Sequence, residues 1–144
     1  MQTQDCPLCQ DSGGELVWQS ALYRVIVVDE AGYPGFCRVV LNQHVAEMTD
    51  LPPEQRTAIM NAVWAVEEGL RAELQPHKIN LASLGNMVPH LHWHVIPRWQ
   101  DDRHFPAPIW AAPAREPITR KPDLARLKAA LASRLLMLET FTKE

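Results

Sequence analysis

One hexapeptide constrains this chain more than any other part of it: His90-Leu91-His92-Trp93-His94-Val95. Histidine alternates with an apolar residue, and in a β-strand residues two apart share a face. The run therefore reads as a strand with His90, His92 and His94 on one side and Leu91, Trp93 and Val95 on the other. The apolar set anchors the strand on a core and holds the histidines in a row on a rigid platform. Three of the chain's six histidines lie here, whereas a merely solvent-facing strand is served by Lys, Glu or Thr. Two chemistries fit the row. One is a three-histidine metal centre of the hydrolytic zinc kind. The other is nucleophilic catalysis by one imidazole, its neighbours supplying a proton and orientation. Spacing alone does not decide between them.

The rest of the chain supplies what such a strand needs to pack on. Glu15 to Trp18, Tyr23 to Asp29 and Phe36 to Leu41 are short runs rich in β-branched and aromatic residues, which favour strands. A turn at Gly32, Pro34 and Gly35 separates the last two. From Pro53 to about Leu74 the period changes: Ile59, Val63, Val66 and Leu70 recur at helical spacing. Pro52 and Pro53 suit the opening of a helix, where a missing N–H costs nothing, and Pro76 suits its end. Lys78 to Leu84 and His90 to Pro97 read as further strands around a turn at Gly85-Asn86. Asp123 opens a closing helix with Leu124, Leu127, Leu131, Leu135 and Leu138 on one face. Consecutive strands, a helix, strands and a helix predict an α+β fold, an antiparallel sheet with helices packed on one side. The chain reads as one domain over 1–144. Between the last strand and the closing helix, residues 101–122 hold Pro106, Pro108, Pro113, Pro117 and Pro122. They cannot be regular structure and form either a packed functional loop or a flexible one.

Charge excludes one class of partner. The net charge is −3, and no basic cluster is present to displace counterions from a nucleic-acid polymer. No apolar run approaches the ~20 residues that span a bilayer. Met1 to Asp5 is polar and lacks a positive start followed by an apolar stretch, so no secretory signal is read there. The expected location is cytoplasmic, with no membrane partner. The cysteines are Cys6, Cys9 and Cys37. An odd number in a reducing compartment argues against a disulfide framework, and Cys37 reads as a buried strand residue.

Cys6-Pro7-Leu8-Cys9 places two thiols on one knuckle, the usual first half of a tetrahedral zinc site. His44 and His90 are candidates for the other two ligands; the alternative is a pair of free thiols and an ordinary loop histidine. A thioredoxin-like role fits poorly, because that motif follows a strand at a helix start and this one opens the chain. His77 falls in an expected surface loop. His104 lies in the Pro-rich stretch with Phe105 and Trp110, where it either covers the histidine row or packs elsewhere.

The run Val88-Pro89-His90-Leu91-His92-Trp93-His94-Val95-Ile96-Pro97-Arg98 resembles the signature of the histidine-triad (HIT) family, in which three histidines alternate with apolar residues. Gly35 to Leu41 followed by Asn42-Gln43-His44 is similar to the family's glycine-led strand and its downstream histidine. Asp50, Leu51 and Glu54 resemble the opening of its helix, and Asn80 to Gly85 its approach to the triad. The likeness covers roughly residues 6 to 98. It implies an α+β nucleotide-binding homodimer in which the middle histidine attacks the α-phosphorus and forms a covalent nucleotidyl-histidine, without a catalytic metal. Carried over, His92 is the nucleophile and His94 contacts phosphate oxygens. Asp29 stands where the family holds ribose hydroxyls, Asn80 where it places a supporting polar contact, and Asn86 where a glutamine is common. In the zinc-bearing members, and in the related galactose-1-phosphate uridylyltransferases, the ligands correspond to Cys6, Cys9, His44 and His90, which implies a structural zinc. Phe36 and Met87 depart from the pattern, where a histidine and a Ser or Thr are common. The resemblance leaves dinucleoside polyphosphates such as diadenosine polyphosphate, nucleoside phosphoramidates and other adenylylated compounds as substrates. The competing expectations are a low-turnover nucleotide-binding regulatory module and a metal-dependent hydrolase using all three histidines as ligands.

Overall fold

The computed structural model describes residues 4–141. The expected antiparallel sheet is present, with strands β1 (Glu15–Gln19), β2 (Tyr23–Val27), β3 (Cys37–Leu41), β4 (Lys78–Ala82) and β5 (His92–Arg98). They lie in the order β1-β2-β3-β5-β4, every neighbouring pair antiparallel. Helix α1 (Pro7–Gln10) is one turn long, α2 spans Pro53–Leu74 and α3 spans Leu124–Phe141. The triad strand starts two residues later than its sequence pattern suggests: His90 and Leu91 precede β5. Leu91 nevertheless holds position by donating its N–H to Val45 O and accepting from Leu41 N. The expected final residues of α3, 142–144, and the start of the chain, 1–3, lie outside the described residues. Among the described residues, no helix is long and apolar enough to cross a membrane.

Alternation along the strands gives the sheet two different faces. Val25 and Val27 of β2, Val39 of β3, Val95 of β5 and Ile79 of β4 face the two long helices, together with Leu91 and the partly buried Trp93. Helix α2 meets them with Ile59, Ala62, Val63, Val66 and Leu70, and α3 with Leu127, Leu131 and Leu135. The two helices approach closely at Gly69, where a Cβ would collide with the Leu131 side chain. Helix α2 opens on Pro53, as expected of a residue that lacks an N–H to satisfy, and ends on Gln75 in the left-handed conformation just before Pro76.

The opposite face of the sheet is covered in two pieces. At one end the α1 knuckle packs Cys6 and Leu8 on Ile26 and Val40. At the other, Tyr33, Phe36 and Ile96 form a second small cluster with Val28 and Ile109. This accounts for burial on both sides of β2 and β3, as in sheets covered on both faces. Between the two covers lies a cleft lined by His92 and His94, which are themselves largely buried.

The Pro-rich stretch is packed, and one ion pair explains why. Arg98, the last residue of β5, donates from Nε to Asp102 Oδ2 at 2.7 Å and from Nη2 to Asp102 Oδ1 at 3.1 Å. Both side chains are essentially inaccessible. Two more guanidinium protons reach Asn80 Oδ1 and the Ala107 carbonyl. Asp102 also accepts the main-chain N–H groups of Trp99, His104 and Phe105. Tyr33 donates its hydroxyl to Asp102 and lies 2.7 Å from His104 Nδ1. Arg115 closes the loop on the carbonyls of Asp102 and Phe105. A buried ion pair persists only with its remaining donors and acceptors satisfied, and here nearly every one has a partner.

Candidate functional site

The cysteine knuckle and the start of the triad strand meet. His90 Nδ1 lies 3.4 Å from both Cys6 Sγ and Cys9 Sγ and 3.3 Å from His44 Nδ1, which is itself 3.4 Å from Cys9 Sγ. The four ligand atoms all fall within 4.8 Å of one another, a group that can hold a metal ion. His90 is oriented for that task. Its Nε2 lies 2.6 Å from the Leu41 carbonyl, which only accepts, so the ring proton sits on Nε2 and the lone pair on Nδ1 faces the thiols. Hydrogen bonding of the outer nitrogen is the usual way to fix the tautomer of a metal-binding histidine. Burial holds the His90 pKa below its ordinary value, which keeps that lone pair free.

The same logic, applied one strand step on, orients His92. Its Nδ1 lies 2.6 Å from the His90 carbonyl, so Nδ1 carries the proton and Nε2 the lone pair. Ser83 donates its hydroxyl to the His92 carbonyl at 2.8 Å and fixes the main chain at this residue. His94 stands beside it with ring centroids 4.8 Å apart, edge to face. Arg38 Nε donates to His94 Nδ1 at 3.3 Å, which leaves the His94 proton on Nε2. Burial, then the neighbouring His92 and Arg38, push the His94 pKa down to about 3. Burial also lowers that of His92, opposed by its bond to the His90 carbonyl and reinforced by Arg38. Both imidazoles are therefore neutral at physiological pH, one with an open lone pair and one with an open N–H.

The open part of the sheet forms a cleft of about 510 Å³. Its floor is His92, His94 and Arg38, with Pro7, Leu8, Asp11 and Gly13 of the knuckle on one side. Leu84, Gly85, Asn86, Met87 and Val88 form a second wall, and Trp110 of the Pro-rich loop closes the far end. Of the expected nucleotide-binding residues, Asn86 lines this cleft. Asp29 does not; it lines a separate cavity of about 680 Å³ with Gly32, Pro117 and Arg120. Asn80 does not either, because its side-chain oxygen is held by Arg98. Phe36, the departure from the usual histidine, packs its ring against the edge of His94 at 5.7 Å. Met87 is almost fully exposed at the cleft rim. His77 accepts the Gln100 N–H on the surface, and Cys37 is fully buried, which pushes its thiol up to about 12.

Two residues of the cleft are not evident from sequence. Arg38 is the lone cation in the apolar β3 segment Cys37–Leu41 and lies directly across the β3–β5 ladder from His94. An arginine amid valines is a usable signal, but its meaning depends on that register. Trp110 sits with its ring 5.2 Å from that of His94, which settles that the Pro-rich loop reaches the site. A metal centre built from all three histidines is not what the structure holds. His90 Nδ1 turns to the cysteines while His92 Nδ1 is spent on a carbonyl. Among the described residues the one group of three or more metal-ligating side chains is Cys6, Cys9, His44 and His90.

Known proteins share this fold. A histidine triad protein from Bradyrhizobium japonicum superposes with a TM-score of 0.72 at 27% identity, covering 86% of this chain and 92% of that one. A zinc-bound histidine triad family protein from Mycobacterium smegmatis gives 0.63 at 20% identity, covering 94% and 96%. In sequence, the AP-4-A phosphorylase of Mycobacterium tuberculosis is 26% identical over 107 residues, 70% of this chain. The chain spans about half of that relative's length, 55%. The HIT domain model matches residues 11–101, well over half of the chain and all of the triad strand, and the chain belongs to the HIT family.

Proposed function

We propose that this protein is a nucleotidyl hydrolase or transferase that acts at the α-phosphate of a nucleotide conjugate through a covalent nucleotidyl-His92. One observation carries the reading: the His90 carbonyl accepts a hydrogen bond from His92 Nδ1–H, so a neutral imidazole offers its Nε2 lone pair to the cleft. A neutral histidine is a usable nucleophile near neutral pH. In the first step Nε2 forms a bond to phosphorus while the bond to the leaving group breaks, the leaving group taking the electron pair and then a proton. In the second, an acceptor such as water attacks phosphorus, the P–N bond breaks and the acceptor's proton is released. Arg38 and the Nε2–H of His94 stabilise charge on the phosphoryl oxygens, and Asn86 adds a polar contact from the wall. Phosphoryl transfer asks chiefly for positioning and charge stabilisation, which a rigid strand of oriented donors supplies. The relative named AP-4-A phosphorylase supports transfer at a nucleotide phosphate, and dinucleoside polyphosphates join phosphoramidates and other adenylylated compounds as substrates to test.

Zinc is the ion the Cys6, Cys9, His44 and His90 set fits best. Around a four-coordinate zinc with bonds of ~2.0–2.3 Å, donor atoms sit about 3.3–3.7 Å apart; the close separations here are 3.3 and 3.4 Å. Two thiolates and two imidazoles with no open position make a structural site. A cytoplasmic homodimer completes the reading. Its contact surface is the outer edge of β4, which among the described residues pairs with β5 alone, together with the half-exposed Trp64 of α2.

A low-turnover binding module is the second reading, favoured by the absence of a hydroxyl at Met87. Turnover of adenosine phosphoramidate and of diadenosine tetraphosphate, with and without a chelator, separates the two. Robust turnover that survives brief chelation supports the proposal; binding of either compound without turnover supports the module.

A further inference from the structure

We infer that Trp110 is a specificity-determining residue: an aromatic wall on which a planar ring of the substrate, nucleobase or leaving group, is held at the loop end of the cleft. The inference rests on the cleft being the nucleotide site. Trp110 lies beyond the region that matches the family model, which ends at residue 101. It belongs to the Pro-rich loop and not to the histidine pattern.

Three observations carry the inference. The indole is half exposed yet lines the cleft and sits 5.2 Å from the His94 ring at an interplanar angle of 67°. It thus offers apolar surface beside a catalytic group instead of burying it in a core. The loop that carries it is fixed from beneath. The Arg98–Asp102 pair, with Tyr33 and His104 on the same carboxylate, ties residues 99–107 to the end of the triad strand itself. The ring is therefore preorganised relative to His94, and an anchored aromatic loses little conformational freedom on binding. Finally, the cleft contains one cation, Arg38, one carboxylate, Asp11, and otherwise mostly apolar walls. Leu84, Met87 and Trp110 are all substantially exposed around it. Exposed apolar surface gathered at one site marks a place where apolar ligand surface is covered, and an indole face stacks on planar rings with little regard to their identity.

The test uses Trp110→Ala and Trp110→Phe in the intact protein, with two readouts. The first is calorimetric binding of AMP and of ribose 5-phosphate. If the ring held is the nucleobase, Trp110→Ala weakens AMP by about tenfold, the scale of one base–aromatic stack, leaves ribose 5-phosphate unchanged, and Trp110→Phe recovers most of the loss. The second is kcat/KM for adenosine phosphoramidates bearing either ammonia or an aromatic amine as leaving group. If the ring held is the leaving group, AMP binding is unchanged and the preference for the aromatic amine falls by about tenfold in Trp110→Ala. Unchanged AMP affinity together with an unchanged preference overturns the inference. A wild-type protein that turns over neither phosphoramidate contradicts the proposed function instead, while the binding arm still reports on Trp110.

Discussion

His90 serves two neighbours through two different atoms. Its ring Nδ1 faces Cys6, Cys9 and His44, while its main-chain carbonyl accepts the Nδ1 proton of His92 at 2.6 Å. The cluster that could hold a metal and the proposed nucleophile are therefore joined at one residue, the cluster fixing where that carbonyl points. Folding and the proposed chemistry are thus coupled by geometry, although no step of the proposed mechanism passes through the metal.

Loss of one ligand should then cost stability before it costs chemistry. Cys6→Ser is expected to release the metal and lower the melting temperature by on the order of 10 °C, because a structural zinc contributes folding energy directly. The fraction that stays folded should retain most of its turnover. His90→Ala should match it in stability and lose more activity, since the carbonyl that orients His92 is freed to move. Elemental analysis beside thermal melts checks both; a metal-free parent that melts like Cys6→Ser would remove the site.

Arg38 gives a sharper electronic prediction. It donates to His94 Nδ1, and burial together with His92 and Arg38 holds the His94 pKa at about 3. His94 should therefore stay neutral from pH 8 down to pH 5, a range in which an ordinary histidine titrates near ~6.5. Ring-nitrogen NMR should show no His94 transition in that window. Arg38→Ala should raise its pKa and lower kcat by ~10²–10³, the usual loss for one charge-stabilising donor. A His94 titration near that ordinary value in the parent would contradict the described burial of His94 between His92 and Arg38.

The ion pair beneath the Pro-rich loop predicts a pH-dependent stability. Burial pushes the Asp102 carboxyl up, but the Arg98 hydrogen bond and the N–H groups of Trp99, His104 and Phe105 outweigh it, leaving the pKa well below the usual carboxylate range. A carboxylate depressed in the folded state contributes stability that is complete above its unfolded value of ~3.9 and is lost as pH falls toward the folded one. Urea midpoints between pH 3 and 7 should show the parent ahead of Asp102→Asn at neutral pH and converging below about pH 4. Asp102→Ala, which strands Arg98 in the interior, should cost about 3–5 kcal/mol. A gap between parent and Asp102→Asn that does not change with pH would show that the carboxylate charge is irrelevant.

Much of this is legible in the sequence, for definite reasons. Period-two alternation places His92 and His94 on one face because a strand has no other way to arrange them, and helical spacing fixes α2 to its observed ends, Pro53 and Leu74. The Cys6–Cys9 knuckle is legible because metal chemistry favours two thiols at that spacing, whereas His44 and His90, from two other parts of the chain, are singled out as its partners by the family resemblance. Arg38 is harder. Its role depends on β3 pairing with β5, which sets Arg38 against a residue 56 positions on, and nothing local reports that register. Trp110 lies in a segment without periodicity, whose path is set by Arg98 and Asp102. Asp29 and Asn80 rest on positional likeness alone, and the structure places neither beside His92.

The proposed dimer makes a surface prediction. Trp64→Glu puts a charge on the α2 part of the proposed contact surface and should convert a homodimer into a monomer in light scattering at micromolar concentration. Trp64 is half exposed, so the substitution should leave the melting temperature of the monomer nearly unchanged. A parent that is monomeric at that concentration would contradict the dimer directly.

The covalent step is the centre of the account, and one measurement reaches it. The parent is mixed with adenosine 5′-phosphoramidate, quenched within the first turnover and analysed by intact-protein and peptide mass spectrometry. The account predicts one adenylyl group per chain, located on His92, absent from His92→Ala, whose turnover should be lost while its fold persists. Unmodified protein during active turnover, or near-normal turnover by His92→Ala, would contradict it.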